Sequence, residues 1–307
     1  MLKNQLFGVE VEMTGITREN AATIVAEVLG TTTSQPDRTC YQTRTIEDRS
    51  SRKWKIMRDS SITPVRNDNG NTLIDEYKVE LVTPPLRYED IELLQKIIRK
   101  LRENGAKSHS SCGIHIHIDG ANHNPKSLRR LINFMTSRQD LIYEALEIGN
   151  RANSWCHKLN STLLAELKKD NNLSLEKAEQ IWYSRANDGY VGGIDHQHYN
   201  ETRYHGVNLH SYFTKGTVEF RLFNSTLHAG KIKAYIQFCL AVSAWAITSQ
   251  EKIIFRSMVG YTAEQKVTIM RNILTHRLGL YGDEFKTCRF HLMTTLKKSA
   301  GMTCRAA

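Results

Sequence analysis

The chain contains no apolar run approaching the roughly 18 to 20 residues that a membrane-spanning helix requires. It enters a strand pattern at once, MLKNQLFGVEVEM, without a basic stretch followed by a long apolar segment. A cytoplasmic location is therefore the expectation. The six cysteines (Cys40, Cys112, Cys156, Cys239, Cys288, Cys304) are scattered and form no CxxC pair, which argues for reduced thiols rather than a disulfide framework or a zinc ribbon. Cys112 lies beside a histidine-bearing strand, but nothing near it marks a nucleophile, and packing is the role expected of it. Also missing are a GxxxxGK(S/T) loop, a Gly-rich dinucleotide fingerprint, an HExxH pair, any internal repeat and any low-complexity tract. A nucleotide, if bound, must then be held mainly by metals and arginines.

What is present describes a globular protein with ample material for a core: 40% hydrophobic and 24% charged residues over 307 positions. That length suits one large domain, or one domain with an appendage. The formal charge of +10 is unevenly spread. The last 57 residues, Glu251–Ala307, carry ten Lys/Arg against four Asp/Glu. A solvated basic face is the plainer reading of that segment; attraction to phosphates, nucleic acid or another acidic partner is the functional one. The expected organisation is a domain over 1–250 and a basic helical segment over 251–307.

Three short stretches repeat one arrangement: Glu10 and Glu12 in GVEVEM, His115 and His117 in CGIHIH, and Glu219 and Arg221 in VEFRLF. Side chains at i and i+2 of a strand leave on the same face. Each stretch thus gathers its polar pair on one side. It sends Val9, Val11 and Met13, or Ile114, Ile116 and Ile118, or Val218, Phe220 and Leu222, to the other. Any one pair alone reads as a wet strand face, a surface histidine or a cross-strand ion pair. Three together point to a sheet whose polar side carries chemistry.

Strands are expected at Leu6–Met13, Cys40–Glu47, Trp54–Arg58, Tyr77–Thr83, the histidine segment, Tyr204–Tyr212 and Thr217–Phe223. Helices are expected at Arg18–Leu29 (stopped by Gly30), Tyr88–Asn104, 125–148, Ser161–Lys169, Ser174–Tyr183 (opened by Ser174), Ala229–Thr248, Glu264–Arg277 behind a Thr262–Gln265 capping box, and Asp283–Ser299. Arg66–Thr72 reads as a turn and Asp188–Asn200 as a Gly-rich polar loop. Strands separated by both turns and helices suggest an α+β fold, a sheet with helices on its apolar face.

Glu10 and Glu12 repel one another unless a cation lies between them, which suits Mg²⁺ or Mn²⁺. Glu80, amid Val79, Leu81 and Val82, is costly unless a metal or an arginine relieves it. His117 can ligate through a neutral imidazole, while His115 can instead orient a phosphate. Glu219 adds an oxygen ligand, and Arg221 matches a phosphate bidentately. Carboxylates with one imidazole favour hard divalent ions that also hold nucleotide phosphates.

GVEVEM, WKIMRDSSI (Trp54–Ile62), VELVTPPL (Val79–Leu86), CGIHIHID, RYHGVNLHSY (Arg203–Tyr212) and TVEFRLFNSTL resemble, in order and spacing over Leu6–Ser249, the phage and bacterial amidoligases. That family is similar in fold to glutamine synthetase and glutamate–cysteine ligase. The resemblance implies a curved, mainly antiparallel sheet of that type with helices on its outer face, and ATP-dependent joining of a carboxylate to an amine. By motif, Glu10, Glu12, Glu80, His117 and Glu219 look like metal ligands. Arg203 and Arg221 look like phosphate or acyl-phosphate clamps, Asp59 like an acid that helps bind the amine, and Asn208 like part of the nucleotide or substrate pocket. Where the family often shows D-G-S, this chain has Asp59-Ser60-Ser61, which puts the geometry of that loop in question. The basic tail falls outside the resemblance.

Two rival readings stand beside it. One is a zinc-type hydrolase using His115 and His117 with Glu10 or Glu80, against which carboxylates outnumber histidines. The other is a nucleic-acid-binding protein acting through its basic tail. Asp195, His196 and His198 (DHQH) form a further cluster that lacks zinc partners in sequence, and solvent exposure is expected for it. Trp155, Trp182 and Trp245 are expected to pack within helices, and Trp54, beside the Asp59 loop, to be a candidate for contact with adenine or substrate. The carboxylate and amine substrates and the oligomeric state are not encoded legibly.

Overall fold

The structure is a computed structural model of the chain and describes residues 1–65, 74–187, 193–250 and 258–304. The turn expected at Arg66–Thr72 lies outside the described residues, as do the first five residues of the expected 188–200 loop. The chain is α+β. Among the described residues there are nine α-helices and seven strands, and the strands form an antiparallel sheet, not closed, in the order β2-β3-β4-β1-β5-β7-β6. In chain order the strands are β1 Phe7–Met13, β2 Arg44–Glu47, β3 Lys53–Met57, β4 Val79–Val82, β5 Gly113–Asp119, β6 Val207–Asn208 and β7 Thr217–Asn224. Two compact units emerge. A β-rich unit comprises Leu6–Ile116 with Phe223–Lys233, and a helical unit comprises Met1–Gln5, His117–Leu222 and Ala234–Ala307.

In the β-rich unit, period-2 alternation builds the strands. Val9, Val11 and Met13 of β1, Trp54 and Ile56 of β3, and Val79 and Leu81 of β4 are all buried. Helices α1 (Arg18–Leu29) and α2 (Ile91–Glu103) pack on one another. Helix α1 starts where the Thr17 side chain accepts the Asn20 N–H, and stops where Gly30 turns left-handed (φ 67°) and its N–H reaches the carbonyls of Ala26 and Glu27. Glycine adopts that backbone at little cost. Helix α2 buries Ile91, Leu94, Ile97, Ile98 and Leu101, each worth about 1.5–3 kcal/mol relative to exposure. A 3-10 turn, Tyr88–Asp90, forms the first part of the helix expected from Tyr88.

The helical unit contains α3 (Pro125–Ala145), α4 (Ser161–Lys169), α5 (Leu175–Trp182), α6 (His210–Lys215), α8 (Ala263–Asn272) and α9 (Lys286–Ser299), together with the residues of α7 (Ala229–Thr248) from Ala234 onward. Helix α3 packs against α4 and α9, and α9 against α8. Side-chain caps at Asn124, Asn160, Ser174 and Thr262 open α3, α4, α5 and α8. At Thr262 the reciprocal Gln265 bond of the expected capping box is present. Among the described residues no helix is long and apolar enough to cross a membrane.

Several local expectations give way. Tyr204–Tyr212 is not one strand: Val207 and Asn208 pair with Phe220 and Glu219 of β7, and His205 makes an isolated parallel bridge to His157. The Asn208 carboxamide oxygen accepts the His210 N–H at 2.7 Å, which turns the chain into α6 and ends the strand. Helix α3 stops at Ala145, and Glu147 (φ 53°) and Gly149 (φ 59°) reverse the chain. Helix α8 ends at Asn272 and passes into a π-helical turn, Ile273–Arg277. Strand β2 begins at Arg44, four residues late. Trp182 and Trp245 are buried, but Trp155 lies outside the helices and is 39% exposed. Cys112 is buried, as packing requires.

Candidate active site

Register brings the first group together. In the β-rich unit, Glu12 of β1 lies directly opposite Glu80 of β4. Directly opposed residues of an antiparallel pair share a face, and two like charges there are destabilising on their own. Both side chains are nonetheless buried, and so is His115. Ligand atoms of Glu12, Glu80 and His115 all lie within 4.8 Å of one another. His115 places Nδ1 2.9 Å from Glu10 Oε2 and Nε2 3.6 Å from Glu12 Oε1. With Nδ1–H given to Glu10, the Nε2 lone pair faces the Glu12 carboxylate, the arrangement in which a carboxylate orients a ligating imidazole. The Gly113 N–H donates to Glu12 Oε2 at 2.6 Å and fixes that carboxylate further.

Asp59 stands apart in a turn of its own. Its Oδ1 accepts the Ser61 N–H at 2.7 Å and the Ser61 hydroxyl at 2.6 Å. Ser60, at the position where the family often has glycine, has no positive φ, so serine brings no backbone strain there. Lys78 Nζ donates to the Ser60 carbonyl at 3.2 Å. Next to this turn, Arg58 grips Asp75 through Nε at 2.9 Å to both oxygens, and buried Arg18 donates to the Asp75 carbonyl at 2.6 Å. Burial pushes the Asp75 carboxyl upward, but the Arg58 bond and the charges of Arg58, Arg18 and Lys78 outweigh it and hold the group below its ordinary value. Sequence reading missed Asp75, which lies three positions after the turn-like stretch Arg66–Thr72 and shows no periodicity. Trp54 is fully buried, its Nε1–H given to Asp48 Oδ2 at 3.0 Å. It therefore has no surface for adenine or substrate.

In the helical unit, β7 presents Glu219 and Arg221 two residues apart, as expected. Arg221 donates to Glu219 Oε1 at 2.6 Å, and Asn208 of β6 donates to Glu219 Oε2 at 2.7 Å. His117 lies with Nε2 3.9 Å from Glu219 Oε1 and Nδ1 3.0 Å from Thr217 Oγ1. Tyr204 sits under two guanidiniums, 5.6 Å from Arg203 and 5.9 Å from Arg221, a cation–π arrangement that helps orient both. Of the residues proposed from sequence, Glu10, Glu12, Glu80 and His115 thus gather in one unit. His117, Asn208, Glu219 and Arg221 gather in the other, with Arg203 joined to Arg221 through Tyr204.

The sequence reading missed Tyr204 and His210, although both lie inside RYHGVNLHSY. His210 is buried, and its Nδ1 is 2.7 Å from the Tyr183 hydroxyl. Burial first, then the charges of Arg203 and His196, push it down to about 4 against the pull of Glu219 and Asp195, so it is neutral at physiological pH. The DHQH cluster forms no metal-competent group among the described residues. His196 is exposed and 2.7 Å from Glu179.

A family model described as "Putative amidoligase enzyme" matches residues 3–243. No curated protein sequence matches the chain. The matched stretch holds every residue of both polar groups just described and most of the chain, and the protein belongs to this amidoligase family.

Proposed function

We propose that this member of a ligase-type family is an ATP-dependent carboxylate–amine ligase working through an acyl phosphate. The observation that carries the reading is the buried set Glu12, Glu80 and His115, two opposed carboxylates and an imidazole with ligand atoms within 4.8 Å. Such a donor set fits Mg²⁺ or Mn²⁺, since an uncompensated pair of buried acids is costly and hard divalent ions favour oxygen ligands. A cation held there, with Glu10 as a further candidate ligand, would supply charge neutralisation for phosphate oxygens. His117 and Glu219 are the candidate metal ligands of the helical unit.

The remaining roles belong to the chain's own side chains. One oxygen of the substrate carboxylate attacks the γ-phosphorus of ATP, and the bond to the ADP oxygen breaks. Arg203 and Arg221 stabilise the charge on the transferring group; their guanidiniums are held in place beforehand by His198, Tyr204 and Glu219, so little reorganisation is needed. The amine nitrogen then adds to the acyl carbon, the carbon–oxygen bond to phosphate breaks, and the proton lost by nitrogen passes to a carboxylate, for which Asp59 is the candidate. The glutamine synthetase-like form of the sheet is part of the same proposal.

A screen of amino acids and amines for stimulated ADP release in the presence of Mg²⁺, followed by product mass, tests this. The expected result is one acid–amine pair that raises ADP release and yields their combined mass less one water. Stoichiometric bound zinc with ATP-independent turnover would replace the ligase with a hydrolase.

A further inference from the structure

A lone exposed tryptophan is ordinary on a protein surface, but Trp155 of the helical unit is set apart by what it stands beside. It is 39% exposed, while Trp54, Trp182 and Trp245 are buried. Its backbone is fixed by the turn that ends the 3-10 helix Gly149–Asn153. There the Arg151 carbonyl accepts the N–H groups of Ser154, Trp155 and Cys156 at 3.2, 2.9 and 3.1 Å. The next residue ties this turn to the arginine strand. The His157 N–H donates to the Tyr204 carbonyl at 2.7 Å, the Gly206 N–H to the His157 carbonyl at 2.9 Å, and the Arg221 N–H to the Gly206 carbonyl at 2.9 Å.

The side chains follow the same path. The Trp155 and Tyr204 rings meet at 70° with centroids 5.8 Å apart, so that they form a corner. Tyr204 in turn lies 5.6 Å from the Arg203 guanidinium and 5.9 Å from that of Arg221. A partly open indole thus stands one ring away from two guanidiniums. The guanidiniums suit oxyanions, and the indole suits a flat aromatic ring. A small molecule that carries both features is a nucleotide. Sequence offered Trp54 for the base, and burial removes it; Trp155, expected to pack within a helix, lies in a turn instead.

We propose that Trp155 is the residue on which the nucleotide base stacks, with Tyr204 as the second wall of the corner. The inference rests on the ligase reading for the identity of the nucleotide, ATP; it adds the residue that holds the base, which that reading leaves unassigned. ATP and inorganic tripolyphosphate, each with Mg²⁺, are titrated by calorimetry into the full chain and its Trp155→Ala and Trp155→Phe variants. Circular dichroism checks that each variant is folded.

Affinity for ATP should fall roughly five- to a hundredfold in Trp155→Ala, the range that loss of one base–aromatic stack gives. Trp155→Phe, which keeps an aromatic face, should recover most of it. Tripolyphosphate carries the charge without a base and should bind all three proteins alike. In the parent, ATP should also quench indole emission; Trp155→Phe, whose three remaining tryptophans are buried, should lose that quenching. The proposal is overturned if ATP binds Trp155→Ala as it binds the parent, if tripolyphosphate weakens as much as ATP does, or if the parent binds no ATP. Either of the first two results leaves the ligase reading untouched. ATP binding that depends on Trp155, without ADP release for any pair in the substrate screen, would keep the base platform and remove the ligase instead.

Discussion

His123 makes the stability of the helical unit depend on pH in a way that can be worked out from its surroundings. It is 7% exposed, with Nδ1 3.1 Å from Ser127 Oγ and Nε2 2.9 Å from Ser243 Oγ. Ser243 gives its own proton to Gln5 Oε1 at 2.5 Å, so the Nε2–H of neutral His123 is the donor to Ser243. Burial first, and then the Arg130 charge, push His123 down from 6.5 to about 4, with Asp119 opposing. The unfolded chain therefore binds this proton more readily than the folded one. The contribution is fully present above pH 6.5 and declines as pH falls from 6.5 toward 4. At about 1.4 kcal/mol per unit, the loss amounts to about 3 kcal/mol. Urea unfolding of the parent and of His123→Gln, run in parallel from neutral pH to about 4, isolates the effect, because the remaining titratable groups are common to both. The parent's advantage at neutral pH should shrink, or the parent's disadvantage grow, by about 3 kcal/mol. A gap that stays constant with pH, or a His123 ring that titrates near 6.5 by NMR, refutes the reasoning.

Glu219→Gln or Arg221→Ala should abolish ADP release while circular dichroism stays unchanged; full turnover in both would remove these residues from the chemistry. Mg²⁺ or Mn²⁺ should raise the unfolding temperature of the parent, with about 2.7 kcal/mol expected at a hundred times the dissociation constant. Glu12→Gln and Glu80→Gln should lose most of that response, and an equal response in all three proteins would dismiss the cluster as a cation site. Gly206→Ala should destabilise the protein by about 1–3 kcal/mol, read as a lower urea midpoint. An added Cβ there collides with the Tyr143 hydroxyl, which holds the carbonyls of Cys156 and His157 at 2.7 and 3.1 Å. An unchanged midpoint would show that the contact relaxes freely.

The parts of this molecule that were legible in its sequence are those governed by short-range periodicity. Helices α1, α4 and α7 begin and end where spacing and caps place them, since Thr17, Asn160 and Gly30 act within a few residues of themselves. The i, i+2 pairs were legible for the same reason. What could not be read depends on register and on single side-chain bonds. That Glu12 meets Glu80 follows from the pairing of β1 with β4, 68 positions apart along the chain, and local pattern carries no trace of it. Nor does pattern distinguish His115 from His117, yet His115 joins Glu12 and Glu80 while His117 lies on Thr217 and Glu219. The break between β6 and α6 hangs on one Asn208 hydrogen bond inside an apparently continuous alternation. Trp54 illustrates the converse: proximity to a functional turn in sequence says nothing of which way a strand residue points.

The most direct test of the central claim follows an atom. With the substrate pair found by the ADP screen, the carboxylate is labelled with heavy oxygen and the phosphate released is examined by mass. An acyl phosphate requires one labelled oxygen to leave with phosphate at every turnover, and that transfer is the predicted result. Unlabelled phosphate accompanying a formed amide would contradict the account.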